Sequence, residues 1–161
     1  MTSVSPKIKP VVALEVDNAN ASKRSWLSRL KLDHFRNYQQ ADLAIHAGQL
    51  VILGDNGAGK TNLLEAVSLL APGRGMRRAK TEHLAYRASG FDTSRGRADN
   101  DDDDRLDWAV AATLENEDGN VQIGTGVPQA AKQGNRIMRL EGVTVSQADL
   151  GSRLAVSWLT P

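Results

Sequence analysis

Hydrophobic and polar positions alternate from Trp26 to Phe35. Leu30 and Leu32 share one face and Lys31 and Asp33 the other, the two-residue period of a half-buried strand. Arg36-Asn37 then reads as a turn, and Gln40 to Ile45 as a second strand with Leu43 and Ile45 on one side. Ala47-Gly48 is expected to close a hairpin back into Leu50 to Leu53. That run is apolar at every position, the pattern of a central strand covered on both faces. The period then becomes helical. Leu63, Ala66, Val67 and Leu70 fall at i, i+3, i+4 and i+7, predicting a helix from Thr61 to Leu70 that Pro72 and Gly73 end. Thr81 to Tyr86 can add one helical turn.

After position 107 the two-residue period returns, with strand-like runs at Trp108 to Leu114, Val121 to Gly126, Arg136 to Leu140 and Gly142 to Val145. Asp118-Gly119 marks a hairpin turn between the first two. Ser146 to Gly151 reads as a short capped helix and Leu154 to Leu159 as a last strand. Two stretches lack any period. Met1 to Ser25 reads as a flexible tail or weakly docked arm, in which only Val11 to Val16 has strand character. Gly90 to Leu106 reads as a solvated, disordered acidic loop. The expected organisation is therefore a tail over 1–25 and a single lobe over 26–161.

Between the apolar run and the helix lies Gly54-Asp55-Asn56-Gly57-Ala58-Gly59-Lys60-Thr61, which fits G-x-x-x-x-G-K-[ST] at every fixed position. Strand, glycine-rich turn and helix are the setting a P-loop requires. The glycines permit dihedrals that turn successive N–H groups onto phosphate oxygens. The helix N-terminus adds free N–H groups and partial positive charge. In this motif Lys60 reaches the β- and γ-phosphates, and Thr61 places its hydroxyl on a magnesium ion.

Composition adds little. The 161 residues carry a formal net charge of +1 and contain no cysteine. A disulfide framework and a thiolate metal site are excluded, and the composition suits a reducing cytoplasm. His34, His46 and His83 lack helical metal-ligand spacing. No run reaches the length of a membrane span, and the N-terminus lacks a signal-peptide apolar core. The near-zero total hides two blocks. Positions 74–97 hold seven Lys/Arg and two acids, and positions 99–107 hold six acids and one Arg. The acidic block lacks the spacing and turn glycine of a calcium loop. Arg74, Arg77, Arg78 and Lys80 are the local candidates for contact with a nucleic-acid backbone, or equally for a solvated surface.

Phe35-Arg36-Asn37-Tyr38 one hairpin before the P-loop, Asn62-Leu63-Leu64-Glu65-Ala66 after it, and the connector Pro72-Gly73-Arg74-Gly75-Met76-Arg77-Arg78-Ala79 together resemble the N-terminal part of the RecF family. These are bacterial ATPase heads related to SMC and ABC proteins. The resemblance covers roughly Leu27 to Pro161, with the acidic loop as its departure. It implies an α/β P-loop NTPase head lobe: a central strand and P-loop helix with an antiparallel β subdomain. It also implies ATP and magnesium as cofactors, DNA (single-stranded or gapped) and other recombination mediators as partners, and ATP-dependent dimerisation on DNA. The role implied is recombinase loading in repair and support of the SOS response. Arg36 and Asn37 are implied to lie near the nucleotide, with Gly54 to Thr61 and Asn62. From the residues alone, Arg36 either pairs with phosphate or forms a surface turn. Glu65 reads as a helix-surface residue or salt-bridge partner.

After Lys60 no run of four apolar residues ends in Asp or Glu, and no LSGGQ-like segment occurs. The expectation is an incomplete head that binds ATP and hydrolyses it negligibly. A small P-loop nucleotide kinase or GTPase, or a non-catalytic nucleotide-binding module, is the alternative. The strand-rich second half and the lack of an Asn-Lys-x-Asp segment weigh against the enzymes.

Overall fold

A computed structural model describes residues 9–11, 25–46, 50–87, 107–129 and 135–151. The order of elements is β1 (Lys9–Val11), β2 (Trp26–Phe35), β3 (Tyr38–Ala44), β4 (Val51–Leu53), α1 (Lys60–Leu69), a 3-10 turn (Thr81–His83), β5 (Trp108–Asn116), β6 (Gly119–Val127), β7 (Ile137–Leu140), β8 (Val143–Val145) and α2 (Gln147–Gly151). The expected acidic loop near 90–106, the expected strand at Leu154 to Leu159, and most of the expected tail lie outside the described residues.

Alternation turns the strands into a one-sided sheet. Six antiparallel strands run in the order β3-β2-β5-β6-β7-β8. Along β5, Trp108, Val110 and Ala112 are buried while Ala109 and Ala111 are exposed. Leu30 and Leu32 on β2 and Ile123 and Val127 on β6 join the same covered face. Against it lie Leu63, Ala66 and Leu69 of α1 and Leu70 at its C-cap, with Leu84 and Leu150 from the segments that follow. Phe35 and Trp108 meet edge-to-face with ring centroids 5.5 Å apart. The Trp108 indole N–H donates to the Thr81 carbonyl at 3.2 Å, so this large side chain is buried without an orphaned donor. The short helix α2 starts on Ser146, whose Oγ accepts the Asp149 N–H at 3.1 Å, a side-chain N-cap.

The small sheet differs from expectation. The apolar run at Leu50 to Leu53 does not form a hairpin with β3. β4 pairs antiparallel with β1, Val11 opposite Val51 and Lys9 opposite Leu53. At the end of β3 the Ile45 N–H donates to the Ser28 carbonyl at 2.8 Å, which keeps that strand on the edge of the large sheet. Nor is β4 covered on both faces: Val51 is 53% and Leu53 54% exposed. An apolar run fixes that a segment wants burial, not which strand it pairs with. The β5–β6 turn also sits one residue earlier than expected. Asn116 pairs with Gly119, and the Asn116 side chain accepts the Asp118 N–H at 2.9 Å.

Candidate phosphate-binding site

β4 ends at Leu53 and α1 begins at Lys60, so six residues form the loop. Gly57 (φ 84°) and Gly59 (φ 99°) hold left-handed conformations that a side chain would oppose. The Ala58 N–H donates to the Asp55 carbonyl at 3.1 Å, closing a tight turn. Gly59 is the N-cap of α1 and its carbonyl accepts from the Asn62 and Leu63 N–H groups at 2.9 and 3.1 Å. Lys60 folds back into the loop, and its ammonium donates to the Asp55 carbonyl at 2.7 Å and to the Gly54 carbonyl. An ammonium has three N–H bonds and these contacts use two. The loop therefore sets a cation beside a helix N-terminus, two of the features that hold an anion. Thr61 follows in the first turn of α1, exposed. Asp55 and Asn56 are exposed at the loop crown.

The turn between β2 and β3 grips this helix. Its two residues, with Tyr38 at the start of β3, meet positions 65, 62 and 59, three apart and in reverse order. Arg36 Nε and Nη2 donate to the two oxygens of Glu65 at 2.9 and 2.7 Å. Asn37 Oδ1 accepts from Asn62 Nδ2 at 2.8 Å. Tyr38 lies against Gly59, where its hydroxyl and the Asn37 amide stand 2.6 Å from the point a Cβ would occupy. Any side chain at 59 would collide with both. Arg36 also adopts φ 56° and donates to the His83 carbonyl at 2.8 Å. Arg36 and Asn37 thus border the loop, but the Arg36 guanidinium is engaged by Glu65.

Glu65 was legible only as a helix-surface or salt-bridge residue. It is a buried carboxylate, 2% exposed, that also accepts from Arg77 at 3.4 Å. Fork-to-fork pairing of this kind is what lets a carboxylate leave water. Arg77 donates to Asn62 Oδ1 at 3.1 Å as well. Of the basic connector, Arg77 therefore turns back onto the helix, while Arg74, Arg78 and Lys80 are exposed and Lys80 lies 3.8 Å from Glu82. The connector is docked by Ser68, whose Oγ donates to the Glu65 carbonyl at 2.7 Å and accepts the Met76 N–H at 2.9 Å.

Arg136 escaped the sequence altogether. From the segment before β7 it donates to the carbonyls of Leu69 and Gly73, the latter at 2.6 Å, and to Thr125 Oγ1 at 2.7 Å. It closes the C-terminus of α1, where carbonyls lack intrahelical partners and the helix dipole is negative. Burial pulls its guanidinium below the usual arginine range. Burial likewise pushes the Tyr38 hydroxyl up to about 12. Among the described residues no three His, Asp or Glu side chains gather as metal ligands. Among them, too, no helix is long and apolar enough to cross a membrane.

A P-loop motif and its helix packed against an antiparallel sheet define the class: the first lobe of a P-loop ATPase head fold. The chain belongs to the RecF/RecN/SMC N-terminal domain family, whose model matches residues 26–161. It is 46% identical over 136 residues to the DNA replication and repair protein RecF of Rhizobium johnstonii, covering 84% of this chain and 32% of that protein. RecF of Mesorhizobium japonicum is 43% identical over 139 residues, covering 86% and 33%. The chain thus spans about a third of the length of the curated relatives it matches. Among solved structures, the recombination mediator protein RecF with ATP, in the RecFOR pathway, superposes with a TM-score of 0.60 at 22% identity, over 83% of this chain and 32% of that one. The SMC head domain from Thermotoga maritima gives 0.50 at 16% identity, over 81% and 42%. At these identities the two structures speak for the fold alone.

Proposed function

We propose that this chain is the ATP-binding lobe of a RecF-like DNA replication and repair protein. The observation that carries the reading is the Gly54–Gly59 loop closed around the Lys60 ammonium at the N-terminus of α1. Successive amides, a fixed cation and a helix dipole suit a polyphosphate. Support comes from the relatives' names and from the similar RecF structure that holds ATP. Lys60 binds the β- and γ-phosphates in this reading, and the Thr61 hydroxyl holds magnesium, which neutralises charge between them. Asn37 and Asn62 shape the wall beside the loop. Arg74, Arg78 and Lys80, all exposed, contact the DNA backbone in this reading, with single-stranded or gapped DNA as the substrate of the whole protein. Recombinase loading, the SOS response, recombination-mediator partners, ATP-dependent dimerisation and a cytoplasmic location belong to the same proposal.

Calorimetric titration with ATP, GTP and a nucleoside monophosphate in the presence of magnesium tests it. ATP should bind and Lys60→Ala should weaken it about 10- to 100-fold, the worth of a charge-assisted hydrogen bond. The circular dichroism spectrum should be unchanged. Equal ATP affinity in parent and variant, or a preference for GTP, would sink the reading.

A further inference from the structure

The turn and helix α1 meet at three points, and two of them are hydrogen bonds: Arg36 with Glu65 and Asn37 with Asn62. The third is not. Tyr38 is 2% exposed, and its hydroxyl is buried with no hydrogen-bond partner among the described residues. Buried polar atoms are paired in the great majority of cases, and each exception asks for a reason. The position of this one supplies it. The hydroxyl stands against Gly59, the left-handed residue at which the loop becomes helix. Tyr38 belongs to the same buried hydrophobic cluster as Phe35 and Leu63, a role for which the ring suffices.

We propose that Tyr38 is a positioning residue for the nucleotide, whose hydroxyl gains its hydrogen bond from the loop backbone when the loop closes on phosphate. The inference rests on the nucleotide-binding reading above. Its logic is directional. When loop N–H groups turn toward an anion, the carbonyls of the same peptides turn away from it. The wall behind Gly59 is formed by Asn37 and Tyr38, so an outward carbonyl meets a phenol O–H that has no acceptor among the described residues. The hydroxyl disfavours the empty loop and favours the filled one. It raises affinity without touching the ligand.

A group that acts on one state gives opposite signs in two measurements. Tyr38→Phe keeps the ring and removes only the oxygen. Without nucleotide the variant should melt at the parent's temperature or slightly above it, because an unpaired buried hydroxyl is gone. Its affinity for magnesium–ATP should fall about fivefold, the worth of one neutral hydrogen bond, and the nucleotide-induced rise in Tm should shrink with it. Equal affinity in the two proteins overturns the proposal. So does a variant that is both weaker for ATP and several degrees less stable without it, which makes the hydroxyl a general structural element. A parent that binds no ATP overturns the underlying nucleotide reading first, and the parent titration alone reveals that case.

Discussion

The large sheet and the phosphate loop are built on opposite principles. The sheet is held by long pairings: nine consecutive residue pairs join β5 to β6, from Trp108↔Val127 to Asn116↔Gly119. Its inner face buries Phe35, Trp108 and Val110 completely. The loop hangs from a three-residue strand paired with another three-residue strand, and the apolar side chains of that strand are half in water. The loop keeps its shape through side chains sent from the sheet: Arg36, Asn37 and Tyr38 at one end of α1 and Arg136 at the other. Stability resides in one region, and geometry is lent to the other. Local opening is cheapest where burial is thin.

The largest separation of the two regions should come from Trp108→Ala. Truncating this side chain removes its contact with Phe35 and leaves a cavity, costing about 3–5 kcal/mol. Urea unfolding should report that loss, while ATP affinity, measured where the variant is still folded, stays within about twofold of the parent by the additivity of distant sites. A large affinity change would show that the sheet and the loop are one unit. Glu65→Ala should do both kinds of damage. It strips the Arg36 guanidinium of its buried partner at a cost of about 3 kcal/mol, and it frees the turn that supports the loop, so stability and ATP affinity fall together. Normal ATP binding in a destabilised Glu65→Ala protein would confine the ion pair to stability. The smallest effect belongs to Arg74→Ala with Arg78→Ala. Fold and ATP affinity should not change, but the slope of log affinity for DNA against log salt should drop by about one unit for each arginine. An unaltered slope removes these residues from the proposed DNA surface.

The parts legible in the sequence are those with a local period or a fixed spacing. Leu30 and Leu32 alternate with Lys31, the helix shows its apolar stripe, and the P-loop residues stand together in the motif's order. Side chains whose role depends on a distant partner were not legible. Glu65 faces Arg36 from 29 positions away, and Arg136 reaches Gly73 across 63. No window of the chain contains both ends of either contact. Tyr38 stood within the FRNY element, yet only the folded chain brings its hydroxyl to Gly59. The pairing of β4 failed for the same reason. Hydrophobicity demands a neighbour without naming it.

Arg136 completes a brace on α1. Its guanidinium pins the last carbonyls of the helix and the start of the connector to Thr125 in the sheet. Ten residues of α-helix are about 15 Å long. Arg36, Asn37 and Tyr38 hold positions 65, 62 and 59, so the helix is braced over nearly that whole length. Arg77 ties the basic connector to Asn62 and Glu65 of the same helix, so loop, helix and connector form one braced unit.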